Sequence, residues 1–189
     1  MISATLFDTP IGRVGIGFSG PRCAVIQLPE ADDEKTRTRM SKLLAPRYAS
    51  EVVSFSAPLD RRQTRVIHLL EAHLSGGASK LDAILLDDDR LTDFTRAVYA
   101  VARRIRRGKV VTYGELAVML GKPNAARAVG RAMATNPYPI VVPCHRVVGA
   151  SGAAGGFSAH GGLRTKARLL EIEDAPAATQ IRAAIASAQ

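Results

Sequence analysis

The chain is poor in metal-binding and cross-linking side chains. Its 189 residues include two cysteines, Cys23 and Cys144, and four histidines, His68, His73, His145 and His160. Two cysteines make no disulfide framework, and the scattered His and Cys positions lack the short ligand spacings of a zinc site, so neither a disulfide scaffold nor a metal is expected. No motif calls for a cofactor. No apolar run approaches the ~18–20 residues that cross a bilayer, so no membrane partner is expected. Met1-Ile2-Ser3-Ala4-Thr5 lacks a basic stretch followed by an apolar one, so no secretory leader is expected either. Free thiols and the absence of a leader suit a reducing, cytoplasmic compartment, and a monomer is expected.

What is present is an ordinary globular composition, 47% hydrophobic and 23% charged, on a length that suits one large domain or two small ones. The net charge is +9, and it is placed unevenly. Residues 1–88 carry 11 basic and 11 acidic side chains, whereas residues 89–189 carry 15 basic and 6 acidic. All the excess positive charge is in the second half. That suits a polyanion partner there, and it equally suits a generically arginine-rich surface.

The first half reads as α+β. Val14, Ile16 and Phe18 alternate with small residues, Ser19-Gly20-Pro21-Arg22 is turn chemistry, and Cys23–Leu28 is a second strand, which predicts a hairpin over 11–28. Helices are predicted from Asp33 to about Leu44 and from about Asp60 to Leu74, the latter stopped by Gly76-Gly77, followed by a short strand over Leu81–Leu86. Asp87-Asp88-Asp89 marks a boundary. The expected organisation is an α+β domain over 1–88, a mostly helical domain over 89–175, and a tail over 176–189 to which no element is assigned.

In the second half, Thr92 caps a helix whose apolar positions are Phe94, Val98, Val101 and Ile105. Its predicted end is the run Arg103-Arg104 and Arg106-Arg107 with Gly108 as the terminating residue; the arginines there read either as a solvated helix end or as DNA contacts. Thr112-Tyr113-Gly114-Glu115 is a capping box that opens a helix through Leu116, Met119 and Leu120. After the turn Gly121–Asn124, residues 125–133 form another helix, which makes a helix-turn-helix candidate. This helix presents Ala125, Ala126, Ala128 and Gly130 around Arg127. So smooth a surface fits a narrow groove with the arginine inserted, and it fits close packing on a neighbouring helix just as well.

The chemistry concentrates in Asn136–Val148. Pro137 and Pro139 impose an extended entry, Ile140-Val141-Val142 is an apolar run, Pro143 breaks any regular ladder, and Cys144 arrives at the break. His145 and Arg146 beside it make an electropositive setting that favours thiolate, the nucleophilic form. Cys23, in mid-strand, reads as an inert small apolar residue.

These motifs resemble, in order and spacing, the O6-alkylguanine-DNA alkyltransferases (methylated-DNA–protein-cysteine methyltransferases). The resemblance runs over about residues 90–174, through Tyr113-Gly114-Glu115-Leu116, Ala125–Gly130, Asn136-Pro137, Pro143-Cys144-His145-Arg146-Val147, Gly161-Gly162-Leu163 and Lys166. It implies that Cys144 accepts an alkyl group from O6 of guanine in duplex DNA once per molecule, with O4-alkylthymine as a second candidate lesion. It implies that His145 takes the thiol proton through water, that Glu173 orients His145, and that Asn136 supports the turn. Tyr113, Pro139, Phe157, Ser158 and Lys166 would meet the flipped base. Thr112, Tyr113, Ala125, Ala126, Arg127, Ala128, Gly130 and Arg131 would meet DNA through the minor groove, with Arg127 filling the space of the extruded nucleotide.

There are departures from the family pattern. Phe157 stands where several relatives have tyrosine, residues 158–162 run two longer than in some, and Thr95 and Tyr99 stand where Gln and Trp are frequent. Glu171 competes with Glu173 as the partner of His145. Three other readings remain. A lesion sensor that does not repair is opposed by the presence of Cys144. A helix-turn-helix regulator leaves Cys144-His145 idle. A Cys-His hydrolase lacks an oxyanion-hole motif.

Overall fold

The computed structural model describes residues 1–150 and 156–187. The chain divides into two compact units, one formed by Met1–Arg90 with Pro137–Val141 and the other by Leu91–Asn136 with Val142–Gln189. Both mix helix with small sheets, an α+β architecture.

The first unit is built on a four-stranded sheet in the order β3-β2-β1-β4. β1 (Ile2–Phe7) pairs antiparallel with β2 (Val14–Ser19), from Ile2↔Ser19 to Phe7↔Val14. β2 continues through the tight turn at Gly20, φ +55°, into β3 (Arg22–Gln27). This is the expected hairpin, with an irregularity at Gly17/Phe18. β4 (Val53–Ser54) joins β1 in parallel. Ile2, Ala4 and Leu6 alternate with partly covered residues and meet Met40, Leu44 and Tyr48 of α1 (Asp33–Tyr48), the period of a strand set against that of a helix. Full burial of each large side chain here stabilises by about 1.5–3 kcal/mol. Gly15 permits the approach, because a Cβ there would lie 2.2 Å from Met40 Sδ. Asp32 caps α1 by accepting from Lys35 N. The helix runs four residues past its expected end, through Pro46, to the buried Tyr48. α2 (Arg61–Leu74) begins at a capping box between Asp60 and Gln63 and buries Ile67, Leu70 and Leu74.

The expected strand over Leu81–Leu86 is not formed. Leu81–Ala83 is a 3-10 turn, and a single bridge joins Leu86 to Cys23, with Cys23 N donating to Leu85 O and Asp87 N to Cys23 O. Ile84 and Leu86 point inward while Leu85 is exposed, an alternation too short to extend a ladder.

In the second unit, Thr92 caps α3 (Asp93–Ala102) as expected, but the helix stops at Ala102. Gly108 is therefore not its terminating residue. Its φ of +75° serves a separate turn, where a Cβ would sit 3.2 Å from Glu173 O. β5 (Val111–Thr112) pairs in parallel with β6 (Val147–Val148). The capping box is present: Glu115 N donates to Thr112 Oγ1 and Thr112 N to Glu115 Oε2, opening α4 (Tyr113–Met119). A 3-10 turn over Pro123–Ala125 leads into α5 (Ala126–Ala134). α6 (Leu163–Ile172) packs on α7 (Ala177–Ser187) through Ala167, Leu170, Ala178 and Ile181. α7 occupies most of the stretch left without an element in the sequence reading, whose last two residues lie outside those described.

Candidate active site

The parallel pair β5·β6 brings two pieces of sequence together. Thr112 leads directly into Tyr113, the first residue of α4, and Val147 follows directly on the 3-10 turn Cys144–Arg146. Tyr113 and Cys144 consequently line one pocket of about 500 Å³, with Gly130, Met133 and Ala134 of α5 and with Gly156, Phe157 and Ser158. That volume suits a ligand of a few rings. Ser158 Oγ donates to Ala134 O, which ties the loop to the end of α5.

Beneath Cys144 lies a buried polar chain. His145 Nε2 is 2.9 Å from Glu173 Oε1. Arg146 Nε and Nη2 donate to Oε2 and Oε1 of the same carboxylate at 2.8 and 2.7 Å, and Nη1 donates to Ile105 O. A carboxylate receiving a guanidinium fork is an acceptor, so His145 Nε2–H donates to it and the lone pair of the neutral ring lies on Nδ1. Glu171, the competing candidate, instead receives a fork from the exposed Arg182. The geometry therefore joins Glu173 to His145.

The electrostatics of the thiol differ from the sequence expectation. Burial pushes the Cys144 thiol up, and the hydrogen bond from the Asn136 side chain and the nearby Lys166 oppose the shift without reversing it. Arg146, expected to favour thiolate, is spent on Glu173. Asn136 also donates from Nδ2 to Val142 O at 2.8 Å, closing the chain across residues 136–142.

Lys166, expected to touch substrate, is fully buried and donates from Nζ to Val147 O. Burial lowers its ammonium to about 8, with the charge of Cys144 acting the other way. It belongs under the thiol rather than on the pocket wall. Replacing Lys166 with methionine removes the cation that assists thiolate formation. The expected result is a rate of thiol alkylation several-fold lower at pH 7 and a rate-versus-pH curve moved to higher pH, read with iodoacetamide. An unmoved curve contradicts this role.

Of the remaining expected residues, Pro139 is buried in the 137–141 segment of the first unit and is absent from the pocket wall. Arg127 and Arg131 are exposed one helical turn apart on α5, while Ala126, Ala128 and Gly130 are partly covered. Ala125 ends the 3-10 turn just before them. Burial raises the Tyr113 hydroxyl, with the charge of Cys144 adding to it. The sequence reading missed Met133 and Ala134, whose only signal was their place at the end of the α5 pattern. It also missed the structural part played by Arg146.

A family model described as the 6-O-methylguanine DNA methyltransferase DNA-binding domain matches residues 93–175. The methylated-DNA–protein-cysteine methyltransferase of Mycobacterium tuberculosis is 35% identical over 173 residues, which cover 92% of this chain and 93% of that protein. The protein of the same name from Salmonella typhimurium is 50% identical over 82 residues, 43% of this chain and 47% of the other. Among solved structures, the Mycobacterium tuberculosis protein crystallised with DNA superposes with a TM-score of 0.70 at 31% identity, over 95% of this chain and 98% of the other. The O6-methylguanine-DNA methyltransferase of Pyrococcus kodakaraensis gives 0.68 at 34% identity, over 92% and 99%. With a relative of this identity aligned over nearly its full length, the chain belongs to the methylated-DNA–protein-cysteine methyltransferase family.

Proposed function

We propose that this chain repairs duplex DNA by moving an alkyl group from O6 of guanine to Sγ of Cys144. The observation that carries the reading is a half-buried thiol on the wall of a base-sized pocket, backed by the His145–Glu173–Arg146 chain. Because burial keeps the thiol protonated at neutral pH, it needs a base. His145, with its Nε2 proton directed at Glu173, receives the thiol proton on Nδ1 through a water. The sulfur lone pair attacks the alkyl carbon in line, the S–C bond forms as the C–O6 bond breaks, and the electron pair leaves on the guanine. The Tyr113 hydroxyl donates to the departing ring, and its raised pKa keeps it protonated for that purpose.

The target carbon lies inside the helix, so the nucleotide must be extruded, at a cost of a few kcal/mol. α5 supports this reading because it offers partly exposed alanine and glycine positions for close approach in the minor groove, with Arg127 and Arg131 outward. α4 and α5 then act as the helix-turn-helix. The pocket's reactive group is a free thiol, which suits a reducing compartment such as the cytoplasm.

A thioether is a very poor leaving group, so no return step regenerates the thiol. Titrating protein with a duplex carrying one O6-methylguanine should plateau at one repaired base per molecule. Repair continuing well beyond one equivalent contradicts the mechanism.

A further inference from the structure

The chain leaves the second unit at Asn136, spends residues 137–141 in the first, and returns at Val142, two residues before Cys144. All five of those residues are buried. One of them, Ile140, has a φ of +77°. A β-branched side chain rarely adopts this left-handed conformation, and it persists only where the surroundings over-determine it.

The surroundings here are specific. Tyr138, fully buried, receives a hydrogen bond from Arg47 Nη1 at 2.7 Å and donates to Asp87 O at 2.5 Å. Arg47 is held in turn by Ala24 O at 2.5 Å. Ile26 N, on β3, donates to Pro137 O at 2.8 Å. The loop is thus pinned along its length by α1, β3 and the segment at Asp87, while the Asn136–Val142 bond pinches its base. The Asn136 side chain that makes this pinch also bonds the Cys144 thiol.

We infer that the first unit serves the reaction as a clamp on residues 137–141, with Tyr138 as a positioning residue that holds the strained loop delivering Asn136 and Cys144 to each other. This rests on the alkyl transfer proposed above. With the clamp loosened, Ile140 can relax to an ordinary φ, the pinch at Val142 shifts, and the thiol loses the geometry of its Asn136 bond. The loss falls on the chemical step and not on DNA binding.

Tyr138→Phe tests this, because it keeps the ring and removes only the hydroxyl. Tyr48→Phe is the control. Its hydroxyl donates to the Asp87 side chain, at Oδ2, 2.6 Å away, whereas the Tyr138 hydroxyl bonds the Asp87 main-chain carbonyl. Tyr138→Phe should slow alkylation by free O6-benzylguanine and by alkylated duplex alike, by roughly tenfold, the effect of about one net hydrogen bond. Tyr48→Phe should leave both within roughly twofold while lowering the melting temperature comparably. The rate-versus-pH curve for iodoacetamide at Cys144, whose neighbours Asn136, His145, Lys166 and Tyr113 are unchanged, should move to higher pH in Tyr138→Phe alone. Equal slowing by both variants, or no slowing by Tyr138→Phe, overturns the clamp. A wild-type protein inert to O6-benzylguanine, with the iodoacetamide curve still shifted in Tyr138→Phe, would count against alkyl transfer and for the clamp.

Discussion

Glu173→Ala lowers the stability of the fold by about 3–5 kcal/mol, because it leaves the Arg146 guanidinium buried without its carboxylate. For a chain of this length that is a fall of about 6–20 °C in melting temperature, read by thermal unfolding followed by circular dichroism. Alkylation falls as well, since His145 loses the acceptor that fixes its tautomer. The two effects separate in the double variant Arg146→Met with Glu173→Leu. Replacing a buried ion pair by apolar residues of similar size is often neutral or better for stability, so the double variant regains much of the lost melting temperature. Its alkylation rate stays low, because His145 still lacks the Glu173 carboxylate. Recovery of rate together with stability would show that Glu173 acts through the fold alone.

Arg127→Ala separates DNA work from chemistry. The side chain is exposed on α5 and lines no part of the pocket, so removing it leaves the thiol and its neighbours untouched. If it fills the gap left by an extruded nucleotide, its loss returns about 2–3 kcal/mol of the extrusion cost to the barrier, on the order of 30–160-fold in the rate of duplex repair. Reaction with free O6-benzylguanine, which needs no extrusion, stays within about twofold of wild type. Parallel rate constants for both substrates decide this, and equal losses contradict the extrusion role.

What could be read from the sequence was local. The capping box at Thr112–Glu115, the cap at Thr92 and the hairpin through Gly20 are all fixed by residues three or four apart, and all are formed. The motif around Cys144 is equally local. What escaped depends on distant partners. α3 stops at Ala102 although the apolar pattern continues to Ile105, because Ile105 is buried past the helix and its carbonyl receives Arg146. The arginines after it are not one surface either: Arg107 donates to Ile172 O, at the end of α6, while Arg104 and Arg106 are exposed.

Charge was hardest to read. Arg146 beside Cys144 looks like an activating cation along the chain, yet its fork closes on Glu173, 27 residues away. The cation that does assist the thiol, Lys166, lies 22 positions on and is brought beneath it by α6. β1 was missed although Ile2, Ala4 and Leu6 alternate with Ser3 and Thr5, the period of a strand.

The most direct test of the central claim is the intact mass of the protein after incubation with a duplex carrying one O6-methylguanine. Stoichiometric self-alkylation predicts a gain of about 14 Da, S–H becoming S–CH3, mapped by peptide digestion to Cys144 and absent in Cys144→Ala. An unchanged mass on a duplex that the protein demonstrably binds, or a methyl group on another residue, would contradict the account.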